Sequence, residues 1–151
     1  MPESEEHSNL VAILHSYIAD RFCGGWEERV LTDSEGSASP KRPPPIEGYV
    51  PDAYVMLNEQ GQVVIGEAKS IGDLETSHTE AQVTAFLRRC GKAEGSAFIL
   101  AVPWPIERLA RALLTNYRVR EGLLQVETVV LSEMNGLDAT IPSERLTRCR
   151  S

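Results

Sequence analysis

Apolar side chains recur along the chain first at helical and then at strand spacing. Leu10, Ile13, Leu14, Tyr17 and Ile18 fall on one face of a helix with about 3.6 residues per turn. Ser4 or Ser8 is its expected cap and Gly24-Gly25 its stop. Residues 26–31 read as a short edge strand. Residues 33–48 contain Gly, Ser and Pro43-Pro44-Pro45, which disfavour helix and strand interiors alike, so they form the one long loop. Residues 49–57 and 63–69 read as strands, and Asn58-Glu59-Gln60-Gly61 between them has hairpin-turn chemistry. A second helix is expected over 75–90, ending near Gly91. The apolar run 97–102 is too short for a helix and is bounded by Gly95 and Pro103, which makes it a strand. Pro105 suits the first turn of a helix. Ile106, Leu109, Ala110, Leu113, Leu114 and Tyr117 then form the clearest amphipathic stripe in the chain. Residues 124–131 read as a last strand, and the tail after 135 has no assignment. The order is α-β-β-β-α-β-α-β without internal repeat, which predicts an α/β domain with a mixed sheet flanked by helices.

Length and composition agree with one folded unit. A chain of 151 residues with 42% apolar content can bury a single core. No apolar run approaches the ~20 residues that span a bilayer, so no membrane association is expected. The acidic start Met1-Pro2-Glu3-Ser4-Glu5-Glu6 lacks the basic and then greasy pattern of a secretory signal. Cys23, Cys90 and Cys149 are widely spaced and odd in number, which argues against a disulfide framework or structural zinc. A reduced, cytoplasmic setting is the expectation.

Charge modifies this picture. The net charge of −7 counts against a general nucleic-acid coat. It is uneven, however. Residues 1–40 carry two Arg against eight acids, whereas 88–120 carry Arg88, Arg89, Lys92, Arg108, Arg111, Arg118 and Arg120 against Glu94 and Glu107. Such a segment can meet a phosphate backbone or simply be the solvated face of amphipathic helices.

Candidate chemistry concentrates on the central hairpin. Side chains alternate along a strand, so Glu67 and Lys69 share a face and Ala68 points away. A four-residue loop at 58–61 pairs 57 with 62 and sets Asp52 opposite Glu67. A two-residue loop at Gln60-Gly61 sets Asp52 opposite Lys69. Either register puts the three groups on one face, and a single bulge would break the arrangement. Their neighbours Val50, Ala53, Val55, Val63, Val64, Ile65 and Gly66 are those of buried strands, where three ionisable groups are costly unless paired or bound to an ion. A Mg²⁺ ion, with Mn²⁺ as substitute, takes one or two carboxylates, waters and phosphate oxygens. Asp52 and Glu67 supply the carboxylates, with the Ala68 carbonyl between them. Lys69 would orient water and offset charge on the phosphate. The alternative from the residues alone is a salt bridge of Lys69 with Asp52 or Glu67.

Pro51-Asp52, fourteen intervening residues, and Glu67-Ala68-Lys69 together resemble the signature of the PD-(D/E)XK nuclease superfamily. The resemblance implies a restriction-endonuclease-like, three-layer fold with an αβββαβ core. It also implies a Mg²⁺-dependent hydrolase that cuts phosphodiester bonds in DNA, alone or within a homodimer or larger nuclease complex. It covers residues 4 to 102, roughly two-thirds of the chain. Many members carry a metal-binding acid on the first helix. Glu6 is its counterpart here, preferred over Glu3 and Glu5 because it precedes Leu10 and Ile13 at helical spacing. Gln82-Val83-Thr84-Ala85-Phe86 is similar to the Q-x-x-x-Y motif of the exonuclease-like branch, with Phe in place of Tyr, and marks Gln82 as a substrate or metal-shell contact.

Other candidates are weaker. His7 and His15 are spaced poorly for ligands. His78 and Ser70 can line the cleft or serve the surface and a turn. Lys41 and Arg42 are candidate substrate contacts. Gly61, Gly66 and Gly72 are too scattered for a phosphate cradle. Three readings follow: an active Mg²⁺-dependent nuclease, a nuclease-fold module that binds nucleic acid or a protein partner without catalysis, and an unrelated α/β domain with a structural ion cluster.

Overall fold

The chain forms helix α1 (Glu5–Phe22), strands β1 (Leu31–Thr32), β2 (Ala53–Met56) and β3 (Val63–Ala68), helix α2 (Ser77–Cys90), strand β4 (Ala97–Ala101), helix α3 (Glu107–Glu121) and strand β5 (Glu127–Leu131). The computed structural model describes residues 5–33 and 42–133. Ser4, Lys41 and the tail after 135 lie outside the described residues. The element order is the expected one. The strands make a five-stranded sheet in the order β1-β2-β3-β4-β5, antiparallel up to β3 and parallel from β3 to β5.

Each expected element has a local cause. Residues 24 and 25 end α1 because both glycines adopt positive φ, at 62° and 88°. Thr76 caps α2, its hydroxyl accepting the Thr79 N–H at 3.1 Å. Gly122, left-handed at φ 67°, closes α3. Some boundaries differ from the sequence reading. Ser8 lies inside α1 rather than at its cap. The edge strand expected at 26–31 is a 3₁₀ turn at Glu27–Arg29 followed by the two-residue β1. The polar run Glu27-Glu28-Arg29 has no apolar alternation to bury against the sheet. The strand expected from 49 begins only at Ala53, because Glu47 and Gly48, at φ 52° and 87°, form a tight turn that bridges Ile46 to Tyr49.

Three layers enclose two apolar clusters. On one face, Leu10, Leu14 and Ile18 of α1 pack on Val55, Val64, Ala97 and Ile99. On the other, Val83, Phe86 and Leu87 of α2 and Ala110, Leu114 and Tyr117 of α3 pack on Tyr54, Val63, Ile65, Phe98 and Leu100. Both crossover helices share one face, as right-handed connections require when parallel strands are added in one direction. Contact between α1 and the sheet is closest at Gly66, where an added Cβ would lie 2.7 Å from Leu14 Cδ1. Gly66 is thus the dip into which α1 seats, and α1 in turn sets what its first turn can reach.

Candidate active site

The hairpin register decides whether the three candidate residues meet. Asn58 fixes it: its side-chain oxygen accepts the N–H groups of Gln60 and Gln62 at 3.0 and 3.1 Å, and Gly61 supplies the positive φ of 89°. The Leu57 N–H then donates to Gln62 O at 2.7 Å, so the loop is the four-residue one. Pairing runs without a bulge from Met56↔Val63 to Ala53↔Gly66. Carried one step outward, this register sets Asp52, a bend just before β2, opposite Glu67.

Backbone and side chains lock these two residues together. The Asp52 N–H donates to Glu67 Oε1 at 3.0 Å, and the Ala68 N–H donates to Asp52 Oδ2 at 2.9 Å. The remaining oxygens face cations or a histidine. Lys69 Nζ lies 3.3 Å from Glu67 Oε2, and His7 Nε2 lies 3.7 Å from Asp52 Oδ1. Glu67 is only 2% exposed, and Asp52 and Lys69 are half-buried. The alternation of the strands puts Glu67 and Lys69 on the side of Val63 and Ile65, which face the α2/α3 layer.

Burial pushes both carboxyl groups up, but hydrogen bonds reverse the outcome for Asp52. Desolvation pushes Glu67 well above the usual carboxylate range. The negative charge of Asp52 adds to this, and Lys69 opposes it without prevailing. Asp52 is also desolvated, but hydrogen bonds with His7 and Glu67 and the Ala68 N–H hold its carboxyl below the usual value. Glu67 is therefore the carboxyl of the pair that holds its proton to higher pH.

A divalent cation fits this donor set. Two carboxyl groups stand at a strand end, each with one oxygen anchored by a backbone N–H and the other beside a side chain that a cation can displace. That is the donor count Mg²⁺ uses when waters and phosphate oxygens complete its octahedron. Among the described residues no three His, Cys, Asp or Glu side chains form a cage of their own.

The other expected residues are placed unequally. Glu6 is exposed, and α1 brings His7 to Asp52 in its stead. The signal was in the sequence: His7 precedes Leu10, Val11, Leu14 and Ile18, the fully buried stripe, whereas Glu6 is in phase with Ile13 and Tyr17, which are only half-buried. Gln82 is buried in α2, and its Oε1 has no hydrogen-bond partner among the described residues. Phe86 lies wholly in the core, 6.1 Å from the Phe98 ring. Ala68 contributes its N–H to Asp52. The Ser70 hydroxyl donates to Asp73 in a turn, and His78 meets Tyr49 edge-on at 5.6 Å. Arg42 lies 3.5 Å from Asp33. Much of the basic segment serves the fold: Arg88 spans Glu47 and Glu121, Arg120 reaches Glu80, Arg111 reaches Glu107, and Arg118 donates to Val126 O.

No family model, curated protein or solved structure matches this chain. Among the described residues no helix is long and apolar enough to cross a membrane.

Proposed function

We propose that the protein is a divalent-metal-dependent nuclease of the PD-(D/E)XK kind, with Asp52 and Glu67 as metal ligands and Lys69 as the group that meets the scissile phosphate. The observation that carries this reading is the meeting of Asp52 and Glu67 at the end of the β2–β3 pairing, where the Asp52 N–H donates to Glu67 Oε1 at 3.0 Å and the Lys69 ammonium lies 3.3 Å from Oε2. Buried, mutually repelling carboxylates destabilise a fold unless they do something else, and holding a cation relieves both the desolvation and the repulsion. The αβββαβ order through β4 and the three layers are compatible with the restriction-endonuclease-like architecture.

In hydrolysis, an oxygen–phosphorus bond forms from water while the bond to one sugar oxygen breaks. One water proton goes to solvent, and the departing oxygen gains one. Bound Mg²⁺ or Mn²⁺ supplies Lewis-acid polarisation of the phosphate and activation of that water. Asp52 and Glu67 bind and orient, held rigid by their backbone hydrogen bonds. Lys69 offsets the charge that grows on the phosphate oxygens in the transition state. Gln82, with its orphaned Oε1, is the secondary candidate for the shell of this site.

The test is to incubate the purified protein with supercoiled, linear and branched DNA and with RNA, with Mg²⁺ or Mn²⁺ and then with chelator. Strand cutting is expected only with metal and is expected to vanish in Glu67→Gln. Cutting that persists with chelator or in Glu67→Gln would refute the proposal. Absence of cutting on every substrate, with metal binding intact, would favour the non-catalytic module.

A further inference from the structure

The end of the sheet that holds the carboxylates also gathers exposed apolar side chains. The Lys69 N–H donates to Ala101 O at 3.0 Å, so the chain leaving β4 departs beside Lys69. Three residues further on stands Trp104, 59% exposed. Val50, just before Pro51-Asp52, and Ile71, two residues after Lys69, are exposed at the same end. Trp104 therefore stands three residues beyond the strand end that flanks Lys69.

Its backbone is fixed in advance. Pro103, at φ −60° and ψ 142°, precedes it and Pro105 follows it. The Ile106 N–H donates to Pro103 O at 3.1 Å, closing the turn, and the Trp104 N–H donates to Glu133 Oε2 at 3.2 Å. A backbone held this way adds little ordering cost when the residue is covered.

We propose that Trp104 is a stacking platform for an unpaired base, which makes single-stranded or locally unwound nucleic acid the substrate class of the site. This inference rests on the nuclease reading above. Bases inside a duplex are already stacked and offer only their edges, whereas an unpaired base has a free face. With a phosphate at Lys69, the nucleotides on either side would run along the strand end where Trp104, Ile71 and Val50 stand.

The chain has two tryptophans, and Trp26 is 69% exposed and away from the site, so Trp26→Phe leaves Trp104 as the sole emitter. In that background, with chelator in place of metal to prevent turnover, Trp104 emission is titrated with oligothymidylate and with a covalently closed duplex. The single strand is expected to quench the emission and the closed duplex to leave it nearly unchanged. By anisotropy of labelled strands, Trp104→Ala is expected to weaken single-strand binding roughly 5- to 150-fold. Trp104→Phe is expected to retain most of it. Unchanged single-strand affinity in Trp104→Ala, or equal losses for strand and duplex, would overturn the inference. So would loss of self-association in Trp104→Ala by sedimentation velocity, which would make the ring a contact between copies. Metal-dependent cutting by the wild-type protein with no Trp104 effect overturns the platform alone. Trp104-dependent strand binding without cutting on any substrate overturns the nuclease reading and keeps the platform.

Discussion

At the scale of single residues, Glu67 combines a cost to the fold with the chemistry proposed for it. A buried carboxyl whose pKa is raised holds its proton more tightly in the folded than in the unfolded chain. Folding stability of the metal-free protein therefore falls as pH rises from the unfolded value near 4.5 through the raised one. Glu67→Gln removes that loss and keeps an oxygen for the Asp52 N–H. It is expected to raise the neutral-pH melting temperature of the metal-free protein by about 2–4 °C, the equivalent of roughly 1 kcal/mol. Calorimetric melts with and without Mn²⁺ check this: the metal is expected to stabilise the wild type and not the variant. Metal and proton compete for the same carboxylate, so Mn²⁺ affinity is expected to decline as pH is lowered through the raised pKa of Glu67. Titrations at several pH values would show that decline, and a flat profile would remove Glu67 from the ligand set.

At the scale of elements, the seat of α1 on β3 connects packing to the site. Leu14 over Gly66 sets the helix at the depth from which His7 reaches Asp52. Gly66→Ala is expected to cost about 1–3 kcal/mol, by overpacking against a fully buried leucine. In a Leu14→Ala background the added cost of Gly66→Ala is expected to shrink, which a double-mutant cycle from denaturant melts would measure. The order of elements was legible in the sequence because apolar periodicity and glycine or proline stops coincide at nearly every boundary. The site was legible as a set of alternatives. Parity alone put Asp52, Glu67 and Lys69 on one face, but the choice of Glu67 as the partner of Asp52 came from the side-chain bonds of Asn58, which composition does not reveal. The boundaries at 26–31 and 49–53 failed where 3₁₀ and left-handed turns replace extended chain. The first-helix residue was misphased by one position, since Ile13 is apolar yet only half-buried.

At the scale of the whole molecule, charge limits how the protein can hold a polyanion. The net charge is −7, and Arg88, Arg111 and Arg120 of the basic segment already lie against carboxylates. Among the described residues of that segment, Arg89, Lys92 and Arg108 make no ion pair with a carboxylate, so nucleic-acid affinity is expected to depend on salt as a few phosphate contacts would. A plot of log affinity against log salt should have a slope no steeper than about −3, the signature of a few phosphate contacts. A steep slope would mean that the pairs of Arg88 and Arg120 open on binding.

The claim that binds these scales together is that Lys69 acts on the phosphate while Asp52 and Glu67 hold the metal. Single-turnover cleavage and Mn²⁺ titration of Lys69→Ala, set beside the wild type, test it directly. The cleavage rate is expected to fall by about 10²–10³, with Mn²⁺ affinity within about threefold of the wild type, because the ammonium is not a metal ligand. Metal-dependent cutting at an unchanged rate in Lys69→Ala would contradict the assignment.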